Sequence, residues 1–366
     1  MTIMNRREFL MATSAMATGP GLALHGASQE RQPVRDQQIM TVRGPVPAGR
    51  MGLTLAHEHL LADLRPQEEK ARTPRPYDPD EVLSVVLPHL ERIRGLGCGT
   101  FVDCTAVYLG RDAALLQRIS RESDMHILTA TGNYAALELR ALPDYVLTDS
   151  VEALARRWID EWHNGIEGTD VRPGLIKLGF DGGPLRGVED KLIRAAAITH
   201  LETGLTIGAH TSGPIPFLQS QGVRSWSATS ALEQLSILEG VGVSPSAWIW
   251  IHAQAESEQS HHVSVARRGA WISYDGVGGG GEITAYVDRV MHFREAGLLH
   301  RVLISQDAGW YQVGEPGGGT FRPYDTVFTS FIPALRAKGM TDDEIDTVFI
   351  RNPAEAFSVA VRRSRP

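Results

Sequence analysis

From residue 53 onward, short apolar runs alternate with longer stretches in which apolar residues recur every third or fourth position. Eight runs stand out: LTLAHEHL (53–60), TFVDCTAV (100–107), HILTATGN (126–133), LIKLGF (175–180), LTIGAHTS (205–212), AWIWIHAQ (247–254), AWISYDGV (270–277) and RVLISQDA (301–308). Each predicts a strand. The stretches between them, including DAALLQRIS, VEALARRWIDEW, VEDKLIRAAAITHLE and ITAYVDRVMHFRE, have helical spacing. Pro88 interrupts the first of these helices and predicts a kink there. TDDE (341–344) has the form of a capping box opening a last helix.

Alternating strands and helices predict a parallel sheet, and eight units predict its closure into a (β/α)8 TIM barrel. That barrel would be a single catalytic domain over residues 40–362. An open doubly wound sheet is the alternative, but no GxGxxG follows the first run. The glycine-rich segments GVGGGGE (276–282) and GEPGGGTFRP (314–323) follow runs seven and eight. Without a Gly-Lys-Ser/Thr ending they predict mobile active-site loops, not a phosphate cradle.

Composition narrows the setting. Of 366 residues, 42% are hydrophobic and 22% charged, which is ordinary globular usage. The net charge of −7 and the lack of a Lys/Arg run interleaved with aromatics argue against nucleic acid. Beyond the N-terminus, no stretch approaches the roughly 18 apolar residues of a membrane span. The N-terminus places Arg6 and Arg7 ahead of Phe9 and Leu10, then a mild apolar run to Leu24 and small residues at Gly26 to Ser28. This predicts a twin-arginine signal peptide over residues 1–28, export by the Tat machinery and a periplasmic mature protein. The two cysteines, Cys98 and Cys104, flank one predicted strand that would hold them about 20 Å apart. Both are expected to be free, packed thiols.

The chemistry gathers at the strand ends. The first run ends in His57 and His59, whose side chains share one face while Glu58 takes the other. The fourth run carries Lys177, the fifth ends in His210, the sixth in His252 and the eighth in Asp307. In a closed barrel these ends meet at one mouth, where barrel enzymes build their sites. A buried His or a strand Lys is ordinary by itself; five strands placing such residues at one end are not. Imidazoles and a carboxylate without thiolates suit Zn²⁺, with Co²⁺, Mn²⁺ or Fe as alternatives. The set exceeds what one catalytic ion needs and predicts two ions about 3.5–4 Å apart. An ammonium facing two dications must be neutralised or converted. Carboxylation of the Lys177 amine by CO₂ would make it an anionic bridge.

With these residues in order, the chain resembles the phosphotriesterase-like group of the amidohydrolase superfamily. The resemblance runs through TVRGPVPAGRMGLTLAHEHL, TFVDCTAVYLGRDAALLQRISRESDMHILTATGNY, GIEGTDVRPGLIKLGFDGGPL, ALEQLSILEGVGVSP, VLISQDAGW and FIPALRAKGMTDDEIDTVFIRNPAEAF. It implies that His57, His59 and Asp307 hold the more buried ion, that His210 and His252 hold the more exposed one, and that Lys177 and a hydroxide bridge them. The hydroxide would attack a carbonyl or phosphoryl centre, with Asp307 taking its proton as general base.

The chain also departs from the group. Members acting on phosphotriesters carry an Asp shortly after the strand-six His and a His after the strand-seven Asp; here the residues are HAQAE and Asp275-Gly276. The lactonase branch usually has Arg near Gly276, which is missing too. Tyr134, in TGNY, matches the lactonase branch and could orient a carbonyl near the exposed ion. The sequence therefore predicts a hydrolase of carboxylic esters or lactones with weak or promiscuous phosphotriesterase activity. A phosphotriester hydrolase, an amide hydrolase and a non-catalytic binding protein are the alternatives. Trp310 and Tyr311 are expected to shape the pocket and Glu58 to be structural. A homodimer is expected from the resemblance alone.

Overall fold

The computed structural model describes residues 36–211, 226–279 and 282–364. The twin-arginine leader lies outside the described residues, as does Ser212 at the end of the fifth predicted strand. The compact unit from Pro33 to Pro366 holds all the elements described below.

All eight apolar runs form strands: β1 (Leu53–Ala62), β2 (Cys98–Asp103), β3 (His126–Leu128, resuming at Ala130–Thr131), β4 (Leu175–Phe180), β5 (Thr206–Thr211), β6 (Trp248–Ile251), β7 (Trp271–Tyr274) and β8 (Val302–Ile304). Each pairs in parallel with its neighbour in chain order. The join between β8 and β1 is made by the residues after β8. Asp307 N donates to His57 O at 3.1 Å and His59 N to Ala308 O at 3.0 Å. A further strand, β9 (Gly309–Gln312), then continues parallel to β1. The protein is a (β/α)8 TIM barrel.

Regular pairing stops earlier than the apolar runs suggest. β2 ends at Asp103, β6 at Ile251, β7 at Tyr274 and β8 at Ile304. His252 and Asp307 therefore lie just beyond their strands. Both have left-handed backbones, φ +60° and +53°, which turn them out of the ladder. Pro88 does not break its helix, which runs from Pro79 to Gly95.

The helical stretches form α1 (Pro79–Gly95), α2 (Ala113–Ser123), α3 (Val151–Asn164), α4 (Gly187–Thr203), α5 (Trp226–Gly240), α6 (Gln259–Arg267) and α7 (Ile283–Glu295). Their starts are marked by side chains: Asp112 accepts from Leu115 N and Ser150 from Ala153 N. Each such cap stabilises by about 1 kcal/mol. Thr341 and Glu344 form the expected capping box. Among the described residues no helix is long and apolar enough to cross a membrane.

Alternation along each strand separates two apolar layers. Ile176, Leu178 and Phe180 of β4 point out against the helices, while Leu175 points into the barrel. Trp271 and Leu303 likewise join the interior with Ile249 and Ile251. The hairpin Gln38–Thr41/Gly44–Pro47, through Ile39, joins Ala48, Met51 and Phe357 in closing the barrel at the strand N-termini. Cys98 and Cys104 are free and buried. The opposite, C-terminal end carries polar residues.

Candidate metal centre

β1 does not alternate strictly. Leu55 pairs with Phe101 and Glu58 with Asp103, so β1 has one more residue than β2 over that interval. Leu55 belongs to the layer under the helices and Ala56 to the barrel interior. Strict alternation would return His57 to the Leu55 face; the bulge keeps His57 and His59 inward. Their Nε2 atoms lie 3.3 Å apart.

The outer nitrogen of each imidazole is anchored. His57 Nδ1 donates to Asp275 Oδ2 at 3.2 Å, and His252 Nδ1 to Asp275 Oδ1 at 2.6 Å. The Thr105 hydroxyl donates to Leu61 O at 3.3 Å, so it accepts from His59 Nδ1 at 2.8 Å. With each proton held on Nδ1, the three Nε2 atoms present lone pairs to the interior. Asp307 Oδ1 lies 3.1 Å from His59 Nε2 and 3.5 Å from His57 Nε2, and its Oδ2 lies 4.0 Å from His252 Nε2. Oδ1 is buried without a hydrogen bond. Electron-pair donors crowded together with no proton between them are the arrangement a cation satisfies. The His57, His59 and Asp307 atoms are close enough to share one ion. His57, His252 and Asp275 also come together, but there the carboxylate already accepts from both imidazoles.

Electrostatics agree with this arrangement. Burial pushes His57 down to about 4 against the pull of Asp275, leaving it neutral and able to ligate near pH 7. Burial alone would raise Asp275, but His252 and His57 outweigh it and hold the carboxyl well below its usual range. Burial also opposes ionisation of Asp307; the imidazoles of His59, His57 and His252 beside it outweigh burial and bring it down to about 2. Asp275 is fully buried, whereas the Asp307 side chain is 28% exposed, at the mouth.

The remaining candidates line the same end. His210, inward on β5, packs edge-on to His252 with ring centroids 4.4 Å apart. Burial, with His252, Lys177 and His57 nearby, holds it well below its ordinary pKa. Tyr134 Oη lies 3.0 Å from His210 Nδ1. Its ring rests against Gly179 of β4, where a Cβ would collide with it. Lys177, one inward position below Gly179, is buried, with Nζ 5.3 Å from the Tyr134 ring centroid. Its hydrogen bond, to Leu178 O, is long at 3.5 Å. Burial lowers its pKa, and the nearby Asp307 and Asp275 charges oppose that only in part. Glu58 does not face the interior. Its carboxylate accepts from Ser305 Oγ at 2.7 Å, Gln306 N at 2.9 Å and Ala308 N at 2.6 Å, shaping the segment that carries Asp307.

A model of the phosphotriesterase family matches residues 37–357. The chain belongs to that family. It is 29% identical to a phosphotriesterase homology protein of Escherichia coli, over 84% of this chain and 98% of that one. It is 26% identical to an aryldialkylphosphatase of Saccharolobus solfataricus, over 84% of this chain and 95% of the relative. It is 23% identical to the human N-acetyltaurine hydrolase, over 87% and 97% of the two chains. Family members named for a reaction are hydrolases, and this family member has His/Asp groups that could bind metal.

The residues singled out from sequence, His57, His59, Tyr134, Lys177, His210, His252 and Asp307, lie together at this end of the barrel, but the groups that hold the imidazoles were missed. Asp275 ties His57 to His252, and its signal was available as the one carboxylate of the seventh run. Thr105, on His59, gave no signal, being one threonine among many. Trp310, expected to shape the pocket, packs on His59 with centroids 3.9 Å apart and the rings tilted by 31°, and donates from Nε1 to Asp307 O at 2.9 Å.

Proposed function

We propose that this protein is a binuclear metal-dependent hydrolase that cleaves a carboxylic ester or lactone, with phosphotriester turnover a weak side activity. The observation that carries the reading is the meeting of three Nδ1-anchored imidazoles, His57, His59 and His252, with the unsatisfied Oδ1 of Asp307. His57, His59 and Asp307 would hold one ion, and His210 and His252 the other, with Zn²⁺ the first choice for this donor set and Co²⁺, Mn²⁺ or Fe as alternatives. Lys177 would bridge them as its N6-carbamate. Burial lowers the pKa of this amine and so favours the neutral form, whose lone pair adds to CO₂ with release of one proton. When bound, the ions would polarise the scissile carbonyl and acidify the attacking water.

The chain's own groups complete the chemistry. Asp307, held near 2, accepts a proton only transiently and passes it toward the open mouth. Burial raises the pKa of Tyr134, so its hydroxyl stays protonated and can donate to a substrate oxygen beside His210. This donor supports the ester and lactone reading. The relatives' names span a phosphoryl and an N-acyl substrate, so the test covers all three bond types.

The deciding experiment measures metal per chain of protein purified without added metal, together with turnover of lactones, aryl esters, a phosphotriester and an N-acyl amine. About two ions with ester or lactone turnover supports the proposal. Stronger phosphotriester or amide turnover replaces the substrate class, and no turnover after Zn²⁺, Co²⁺ or Mn²⁺ is restored leaves a binding protein. Lys177→Ala should lose at least one ion and its activity, with partial rescue by bicarbonate plus a short-chain acid. Full activity in that variant would refute the bridge. Export to the periplasm is part of the proposal and should fail in Arg6→Lys/Arg7→Lys.

A further inference from the structure

Asp307 presents its carboxylate from a left-handed backbone outside any strand, at φ +53°. A non-glycine residue persists there only where its surroundings over-determine it. The restraints can be named. From the β1 side, His57 O accepts from Asp307 N, and Glu58 accepts from the flanking N–H groups of Gln306 and Ala308. From the other side, Asp307 O accepts from Trp310 Nε1 and from Arg322 Nη2, which also donates to Gln306 O. One guanidinium nitrogen thus grips two successive carbonyls of the segment carrying the carboxylate.

Arg322 is itself fixed in two ways. Its main chain pairs with Gly309 in both directions, at 2.9 and 3.0 Å. Its guanidinium lies against Gly279, where a Cβ would come within 3.2 Å of Cζ and closer still to Nη1. Glycine at 279 is what gives the guanidinium its place. Arg322 thus comes from the second glycine-rich segment, and Gly279 of the first leaves room for it.

We propose that Arg322 is a positioning residue that locks the Gln306–Asp307 peptide, so that Oδ1 meets the Nε2 atoms of His57 and His59. Through that lock it sets how firmly the centre keeps an ion. The inference rests on the reading of Asp307 as a ligand. Removing the guanidinium takes the side-chain donor from Gln306 O and one of two from Asp307 O, so the two peptides flanking Asp307 lose the restraint on that side and the carboxylate loses its fixed direction.

The test is Zn²⁺ affinity of the full chain, read by competition with a chelating indicator, alongside kcat and KM on the best substrate of the panel. Arg322→Met should weaken the tighter Zn²⁺ site on the order of ten-fold or more, as outer-shell losses do. It should lower kcat while leaving KM within about two-fold, and Arg322→Lys should recover part of the affinity. In an Asp307→Asn background, Arg322→Met should change the affinity no further. Wild-type affinity in folded Arg322→Met overturns the proposal, as does an undiminished effect in the Asp307→Asn background. Wild-type affinity in Asp307→Asn itself instead sinks the ligand reading, and this inference with it. Should Arg322→Met fail to fold, Gly279→Ala puts a Cβ where the guanidinium lies and displaces it without removing it, and should weaken the same Zn²⁺ site. Wild-type affinity there overturns the lock equally.

Discussion

Asp275 accepts from both His57 and His252, and it organises more of the centre than any candidate ligand. Its two oxygens accept from His57 Nδ1, His252 Nδ1, His252 N, Gln254 Nε2 and Ser273 Oγ. Asp275→Asn keeps the shape but turns one acceptor into an NH₂ donor facing an imidazole N–H. One of the two histidines must then rotate or change tautomer. We expect Zn²⁺ affinity to fall roughly 10- to 100-fold, the usual range for a lost orienting partner; affinity within two-fold of wild type would show that the tautomers are not set by Asp275. The neighbouring pair on β1 separates in kind. His57→Ala should remove metal and activity while leaving the metal-free chain about as stable. Glu58→Ala strands three buried donors, at about 1–3 kcal/mol each, and should lower the denaturation midpoint first. Activity should suffer more from His57→Ala than from Glu58→Ala. The reverse ranking would mean that the carboxylate acts in the reaction itself.

At the scale of the element, β4 shows how a strand sets a loop residue. Leu175, Lys177 and Gly179 share its inward face, and the Tyr134 ring lies on Gly179 because no side chain is there. Ala135 N also donates to Gly179 O at 2.9 Å, fastening the turn after β3 to the same residue. Gly179→Ala should push the phenol off His210 while β4 and its ladder stay intact. The expected result is a folded protein whose kcat/KM matches that of Tyr134→Phe, with no further loss when the two are combined; additive losses would place Tyr134 outside the reaction. What could be read from sequence follows from the same element. Buried strands announce themselves as apolar runs, and Lys177 stood out because a cation there needs a reason. The β1 bulge left no such mark, since LTLAHEHL reads as regular alternation and the extra residue exists only against β2. The strand ends were overextended because left-handed turns at His252 and Asp307 depend on contacts made elsewhere. Glu58 meets Ser305 across 247 positions and Asp275 meets His57 across 218, distances at which no local pattern carries information.

For the whole molecule, acid stability should be governed in part by two histidines with no place in the centre. His200 of α4 is buried near the barrel floor, donating from Nδ1 to Leu205 O at 2.8 Å and accepting at Nε2 from Arg362 N at 2.9 Å. Burial holds it down to about 4. His262 of α6 is buried against Trp250, with Nδ1 2.9 Å from Tyr274 Oη; burial, with Arg289 nearby, takes it down to about 3. Both are neutral in the folded chain and gain a proton on unfolding once pH falls below their ordinary value of about 6.5. The unfolded state then binds more protons, so stability is full above pH 6.5 and declines as pH drops toward 4 and 3. Each contributes a slope of about 1.4 kcal/mol per pH unit within its window. Metal loss in acid adds its own slope, but a substitution at His200 leaves that part unchanged because the floor is at the far end from the mouth. His200→Gln should therefore unfold with a shallower pH dependence than wild type between pH 6 and 4.5, shallower by about one proton, in denaturant titrations at matched metal. Parallel pH dependences would mean that His200 already carries its proton in the folded barrel, with Nε2 donating to the Arg362 carbonyl 3.3 Å away.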